Sequence, residues 1–252
     1  MDSKVDSYIL RELGKKKALV FALLDSDNIT AEAAPPLARR VAEAGVDAIL
    51  VGGSTAIDQL TLDAVVTQVK KHVTIPVILF PGNVTGVSPG ADAILFASLL
   101  NSEDPYFITG AQALGSSLVR KYNIEALPTG YIIAGEGGTA GFVGRARPFP
   151  QNKPELVALY ALAAQYLGMK YVYLEAGSGA TSNIPAGTVK TVRGLYKGML
   201  IVGGGIRDGE TARAAVEAGA DILVIGNLLE TRDFDVVLRQ IVETAHLKGP
   251  KS

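Results

Sequence analysis

Acidic, hydroxyl and glycine residues recur in short polar groups, each placed directly after an apolar run. The first group is Asp25-Ser26-Asp27-Asn28, and the second is Gly52-Gly53-Ser54-Thr55. Further on come Tyr173-Leu174-Glu175-Ala176-Gly177-Ser178-Gly179, then Gly203-Gly204-Gly205, then Gly226-Asn227. Glycines allow backbone N–H groups to approach a phosphate closely, and a helix starting behind them favours its charge. The Ser178 hydroxyl is a further donor for the same anion. An acidic pair such as Asp25 and Asp27 suits a magnesium ion, which takes oxygen ligands and shares them with substrate phosphates. The competing role for Asp27 and Asn28 is to cap a following helix. Glu175 is placed to act as a general base or to hold a hydroxyl, with an ion pair to a nearby cation as the structural alternative. Tyr173 shares its side-chain parity, so both reach one ligand if the segment is a strand. His72 and His246 stand near expected helix C-termini, where a cation is favourable, and neither is expected to be catalytic.

These groups need a scaffold that brings them to one rim. Continuous apolar runs lie at roughly 17–24, 47–51, 76–80, 91–97, 128–134, 170–175, 199–203 and 221–226, as expected of parallel strands buried on both faces. Helical stretches are expected near 31–44, 57–71, 105–122, 153–167, 185–197, 208–218 and 233–246. The phrase Ala42-Glu43-Ala44-Gly45-Val46-Asp47 returns as Val216-Glu217-Ala218-Gly219-Ala220-Asp221, and more weakly at Pro89-Gly90-Ala91-Asp92. Such self-similarity points to a repeating α/β architecture. Strands alternating with helices over 252 residues predict a (β/α)8 barrel of the phosphate-binding type, a single domain over 1–252, with its site at the C-terminal ends of the strands. Between the third and fourth runs, Pro81 to Gly90 carries too much Pro and Gly for a helix. The third helix is therefore expected to be missing or replaced by extended chain, opening a groove. The glycine-rich stretch 135–141 reads as a mobile loop.

Composition excludes several classes. The formal net charge is −1, so no basic face invites nucleic acid. With no cysteine, disulfides, thiolate metal sites and a cysteine nucleophile are ruled out. No signal-peptide core or membrane-length apolar run is evident, and a cytoplasmic location is expected.

The segment Tyr173 to Gly179 resembles a signature of the geranylgeranylglyceryl phosphate synthases, relatives of the bacterial heptaprenylglyceryl phosphate synthases. Leu24 to Asp27, Val51 to Ser54, Val202 to Arg207 and Gly226-Asn227 match in order, so the resemblance spans nearly the whole chain. One departure is Ser26, where the family often has Pro. The resemblance implies transfer of a geranylgeranyl group from its diphosphate to the 3-hydroxyl of sn-glycerol 1-phosphate. It places magnesium on Asp25 and Ser54. Glycerol 1-phosphate falls to Tyr173, Leu174, Glu175, Ala176, Gly177, Ser178, Gly179, Gly204, Gly205, Gly226 and Asn227, with Glu175 and Tyr173 serving the chemistry. It also favours a homo-oligomer, a dimer or hexamer. The lipid substrate makes transient contact with a membrane surface plausible. Three rivals stand beside this reading: a synthase using another chain length, a phosphate-barrel isomerase or lyase, and a non-catalytic phosphate-binding barrel.

Overall fold

The computed structural model describes residues 3–53, 58–150, 152–177, 180 and 182–247. Eight parallel strands close into a barrel in sequence order: β1 (Leu19–Asp25), β2 (Ala48–Gly52), β3 (Val77–Leu79), β4 (Ala93–Leu99), β5 (Glu125–Gly137), β6 (Tyr171–Gly177), β7 (Met199–Gly203) and β8 (Ile222–Ile225). The last pairs with the first, Leu19 opposite Ile222. The helices are α1 (Lys4–Lys15), α2 (Ala34–Glu43), α3 (Gln59–His72), α4 (Ala111–Lys121), α5 (Gly138–Val143), α6 (Pro154–Tyr166), α7 (Ala186–Leu195), α8 (Gly209–Glu217) and α9 (Phe234–His246).

Strand side chains alternate, and the apolar residues divide accordingly. Phe21, Leu50, Ile78, Leu95, Tyr171 and Ile201 fill the barrel interior, while Val20, Ile49, Leu79, Ile94, Val172 and Leu200 pack outward against the helices. Because both faces are covered, the strands read as unbroken apolar runs.

The repeated phrase proves structural. Asp47, Asp92 and Asp221 each stand just before or within one residue of a strand start, at the N-terminal end of the barrel. Each accepts a backbone N–H from the preceding strand, at 2.8 Å in every case: from Val20, Val77 and Leu200. Each also pairs with a cation, namely Lys16, Lys70 and Arg193. Gly45 and Gly219 end the preceding helices with φ of +93° and +111°, the left-handed turn that glycine supplies cheaply. His246 contacts Asp47 at 2.9 Å, and His72 contacts the Gln68 carbonyl at 2.7 Å, so both histidines belong to this structural layer.

Two features depart from the sequence expectation, and a third meets it. Helix α1, not anticipated in the polar N-terminal segment, stoppers the barrel from below with Val5 and Ile9. Its first N–H groups, of Val5 and Asp6, donate to the Glu125 carboxylate at 2.7 and 2.9 Å. The stretch 135–141 is not a free loop: β5 continues through Gly137, and α5 follows at once. Between β3 and β4 there is only a short 3-10 turn, Val84–Gly86, as expected for a missing third helix.

Candidate active site

The C-terminal strand ends form a mouth divided into two connected halves. Leu23, Asp25, Phe80, Tyr131 and Ala140 border both. The polar half is lined by Glu175, Gly204, Gly205, Arg207, Gly226 and Asn227, among others. The other half is an apolar groove that fills the flank left open by the missing helix.

Glu175 has the interior parity of Tyr171 and Tyr173 and reaches the mouth from the end of β6. It is 6% exposed, and its Oε1 accepts the Gly177 N–H at 2.6 Å. Burial pushes its carboxyl above the usual range, against the opposing pull of the Gly177 N–H. The Tyr173 hydroxyl lies beside it, fully buried and without a well-formed hydrogen bond among the described residues. Its ring stacks on Phe80 with centroids 5.2 Å apart, and Tyr131 meets both rings edge-on. A buried carboxyl raised in this way and set next to a buried hydroxyl has the chemistry that proton transfer with an alcohol would call for. Leu174 and Ala176 point the other way, into the layer beneath the helices, so only their backbone is available to a ligand.

The glycines after β7 are shaped by Glu175 and its neighbours. Gly204 and Gly205 have φ of +82° and +72°. A Cβ on Gly204 would stand 2.5 Å from Glu175 Oε1, and one on Gly205 2.8 Å from Asn183 Cα. Only glycine fits both the dihedral and the space. The start of α8 is already satisfied by Asp208, which accepts the Thr211 N–H at 2.8 Å in a capping box. An anion would therefore meet the glycine turn itself rather than the end of that helix.

Asp25 ends β1 at the junction of the two halves. It accepts the Asp27 N–H at 3.0 Å and the Asn28 amide at 3.3 Å. Burial raises its carboxyl, the Asp27 N–H opposes this, and the charges of Asp27 and Glu230 add to the rise. The Asp27 carboxylate packs against Gly53, where an added Cβ would lie 2.5 Å from its Oδ2. The first two strand-end loops are thus brought together. Among the described residues no three acidic or histidine side chains form a cage. A half-desolvated carboxylate with hard oxygens fits magnesium, which keeps waters and shares substrate phosphate oxygens. Ser54, Ser178 and Gly179 lie outside the described residues.

Sequence reasoning missed Phe80, Tyr131 and Arg207 as site residues. The aromatic pair carried no signal, since each follows or belongs to an apolar run. Arg207 stands two residues past the glycine run, after Ile206, and was legible there. It is the one cationic side chain lining the polar half among the described residues, and its Nη2 donates to the Ala180 carbonyl at 2.6 Å.

Glycine turns after β7 and β8, Gly177 and the buried Glu175 at the end of β6, and the closed parallel sheet define a phosphate-binding (β/α)8 barrel. A sequence profile of the PcrB family matches residues 13–245, and the chain belongs to that family. A geranylgeranylglyceryl phosphate synthase of Nitrosopumilus maritimus is 58% identical over 228 residues, covering 90% of this chain and 91% of that protein. The wild-type GGGPS of Thermoplasma volcanium superimposes with a TM-score of 0.91 at 39% identity, over 96% of this chain and 98% of that one. The (S)-3-O-geranylgeranylglyceryl phosphate synthase of Thermoplasma acidophilum, solved in complex with its substrate sn-glycerol-1-phosphate, gives 0.91 at 35% identity, covering 98% and 99%.

Proposed function

We propose that this chain joins a geranylgeranyl group, from its diphosphate, to the 3-hydroxyl of sn-glycerol 1-phosphate. The observation that carries this reading is the two-part mouth: a glycine-walled polar half holding buried Glu175 meets an apolar groove at Asp25. The polar half suits a small phosphate ester and the apolar half a long hydrocarbon chain.

In this reading, backbone N–H groups of Gly204, Gly205 and the Gly226-Asn227 turn bind the phosphate, together with Ser178 and Gly179, while Gly177, whose N–H is taken up by Glu175, lets the chain pass close to it. Arg207 adds positive charge at the rim. Glu175, oriented by the Gly177 N–H and flanked by Tyr173, accepts the proton of the 3-hydroxyl. The hydroxyl oxygen then bonds to the allylic carbon as the carbon–oxygen bond to diphosphate breaks. Asp25 and Ser54 would hold a magnesium ion, which when bound would supply charge that offsets the departing diphosphate. Holding the two substrates against one another at the junction is the remaining contribution, catalysis by positioning.

The test is a product assay by mass spectrometry with magnesium, geranylgeranyl diphosphate and either sn-glycerol 1-phosphate or sn-glycerol 3-phosphate. A geranylgeranylglyceryl phosphate ether from the 1-phosphate alone is the expected result. No ether from either acceptor would overturn the reading. Asp25→Ala should shift the magnesium concentration for half-maximal rate upward by about tenfold or more, and an unchanged metal dependence would remove Asp25 as a ligand.

Cytoplasmic location and homo-oligomeric assembly belong to the same proposal. No helix among the described residues is long and apolar enough to cross a membrane. Helix α6 leaves Leu159 and the Tyr166-Leu167 turn exposed, an apolar face that supports self-association. Transient contact with a membrane surface would follow from the lipid substrate.

A further inference from the structure

The groove takes the place of a helix, and its far wall is α4. That helix follows β4 and so runs back down the outside of the barrel, away from the mouth. Ala111, Gly115 and Val119 line the groove in turn along it, opposite Ile94 and Phe96 of β4 and Val87 of the short crossover. The spacing of four residues puts them on one face, each step advancing about 6 Å from the mouth.

Gly115 is the informative one. It sits in the interior of α4, where glycine is among the poorest helix formers. No dihedral requires it: its φ is not positive. No neighbouring backbone requires it either, because an added Cβ would meet only Val87 Cγ2, at 3.9 Å, ordinary contact. The residue is nonetheless buried. This contrasts with Gly204 and Gly205, where dihedral and space both demand glycine. What Gly115 uniquely supplies is volume in the groove.

We infer that Gly115 sets how long a polyprenyl chain the enzyme accepts, with Ala111 above it and Val119 below it as the flanking steps of the same scale. This rests on the proposed prenyl transfer and specifies the substrate class within it. A side chain placed at 115 would fill the channel partway down without altering the barrel interior, because α4 packs on the outer layer. Short donors end above the obstruction and long donors run into it.

The experiment compares Ala111→Phe, Gly115→Phe, Val119→Phe and Gly115→Ala against the native chain. The probes are geranyl, farnesyl and geranylgeranyl diphosphates, with glycerol 1-phosphate as the common acceptor. Gly115→Ala should keep or raise Tm, as expected for alanine in a helix interior. Gly115→Phe should lower kcat/KM for geranylgeranyl diphosphate by about a hundredfold while leaving geranyl diphosphate within about threefold, the scale of a side chain blocking a packed channel. Ala111→Phe should penalise shorter donors as well, and Val119→Phe should affect only the longest. Equal loss for every donor length, in variants whose Tm shows them folded, would overturn the inference, and so would an unchanged preference in Gly115→Phe. If Gly115→Phe does not fold, Gly115→Leu serves the same comparison. A native chain inactive with all three donors would instead overturn the prenyl-transfer reading itself, a distinct outcome.

Discussion

Two buried glutamates at opposite ends of the barrel show how one residue type is put to two uses. Glu125, 9% exposed, closes the bottom: its two oxygens each accept a backbone N–H from the start of α1. Glu175, 6% exposed, closes the top, where it takes the Gly177 N–H and stands next to a tyrosine hydroxyl without a well-formed partner. Burial is nearly the same. What differs is how fully the carboxylate is matched, and an incompletely matched buried carboxylate retains capacity for a substrate proton. At the lower end Asp47, Asp92 and Asp221 are each tied to a backbone N–H and a cation, even where burial raises the carboxyl, as at Asp221, whereas at the upper end burial raises Asp25 and Glu175 with no cation paired to either among the described residues.

The sharpest test exchanges each carboxylate for its amide. Glu175→Gln should lower kcat by about 10²–10⁴-fold, the span of a lost general base, while shifting the glycerol phosphate KM little. Glu125→Gln should leave kcat alone and cost about 1–3 kcal/mol of stability through the disturbed cap on α1. Near-native turnover in Glu175→Gln would remove the base. The acid limb of the kcat/KM profile sharpens the point. Burial raises the Glu175 carboxyl, so activity should climb with pH through a value above the ordinary carboxylate range, and the limb should vanish in Glu175→Gln. The sign for stability is opposite. A raised folded-state value favours the folded chain at pH below the unfolded-state value, and that contribution is lost as pH rises through the folded one.

A smaller effect separates two left-handed glycines. Gly204→Ala, with a Cβ pressed against Glu175 and Ala176, should raise the glycerol phosphate KM and cost about 1–3 kcal/mol of strain. Gly219→Ala meets Arg193 Cγ at 2.6 Å at the other end and should cost comparable stability with KM intact. Equal KM values in the two variants would erase the contrast between the ends. Smallest is Asp208→Ala, which removes the α8 cap and should lower stability by about 1 kcal/mol without a kinetic change. A marked rise in KM there would show that the end of α8 itself takes the phosphate.

Much of this was legible in the chain. Unbroken apolar runs gave away strands covered on both faces, and Pro81, Gly82, Gly86, Pro89 and Gly90 announced the missing helix. The parity of Tyr173 and Glu175 holds in the barrel. Other parts were hidden because they depend on distant partners. Val5 and Ile9 are buried only because a barrel stands open above them, and a short polar segment carries little sign of that. The stretch 135–141 looks flexible by composition, yet Gly135 is needed where an added Cβ would come within 2.7 Å of the Ala176 backbone in the neighbouring strand. The groove walls come from β4, α4, α5 and the short crossover, which no local pattern connects.

The missing third helix has a thermodynamic consequence. In an ordinary barrel that flank is covered by the protein's own chain, whose burial contributes to folding. Here a hydrocarbon tail would complete the ring instead, so part of the apolar contact that steadies the outer layer arrives with the ligand. Occupancy and stability are then linked quantities. Each added isoprene unit that reaches deeper along α4 should tighten binding and raise the melting temperature together, making the donor lipid in effect a removable segment of the fold.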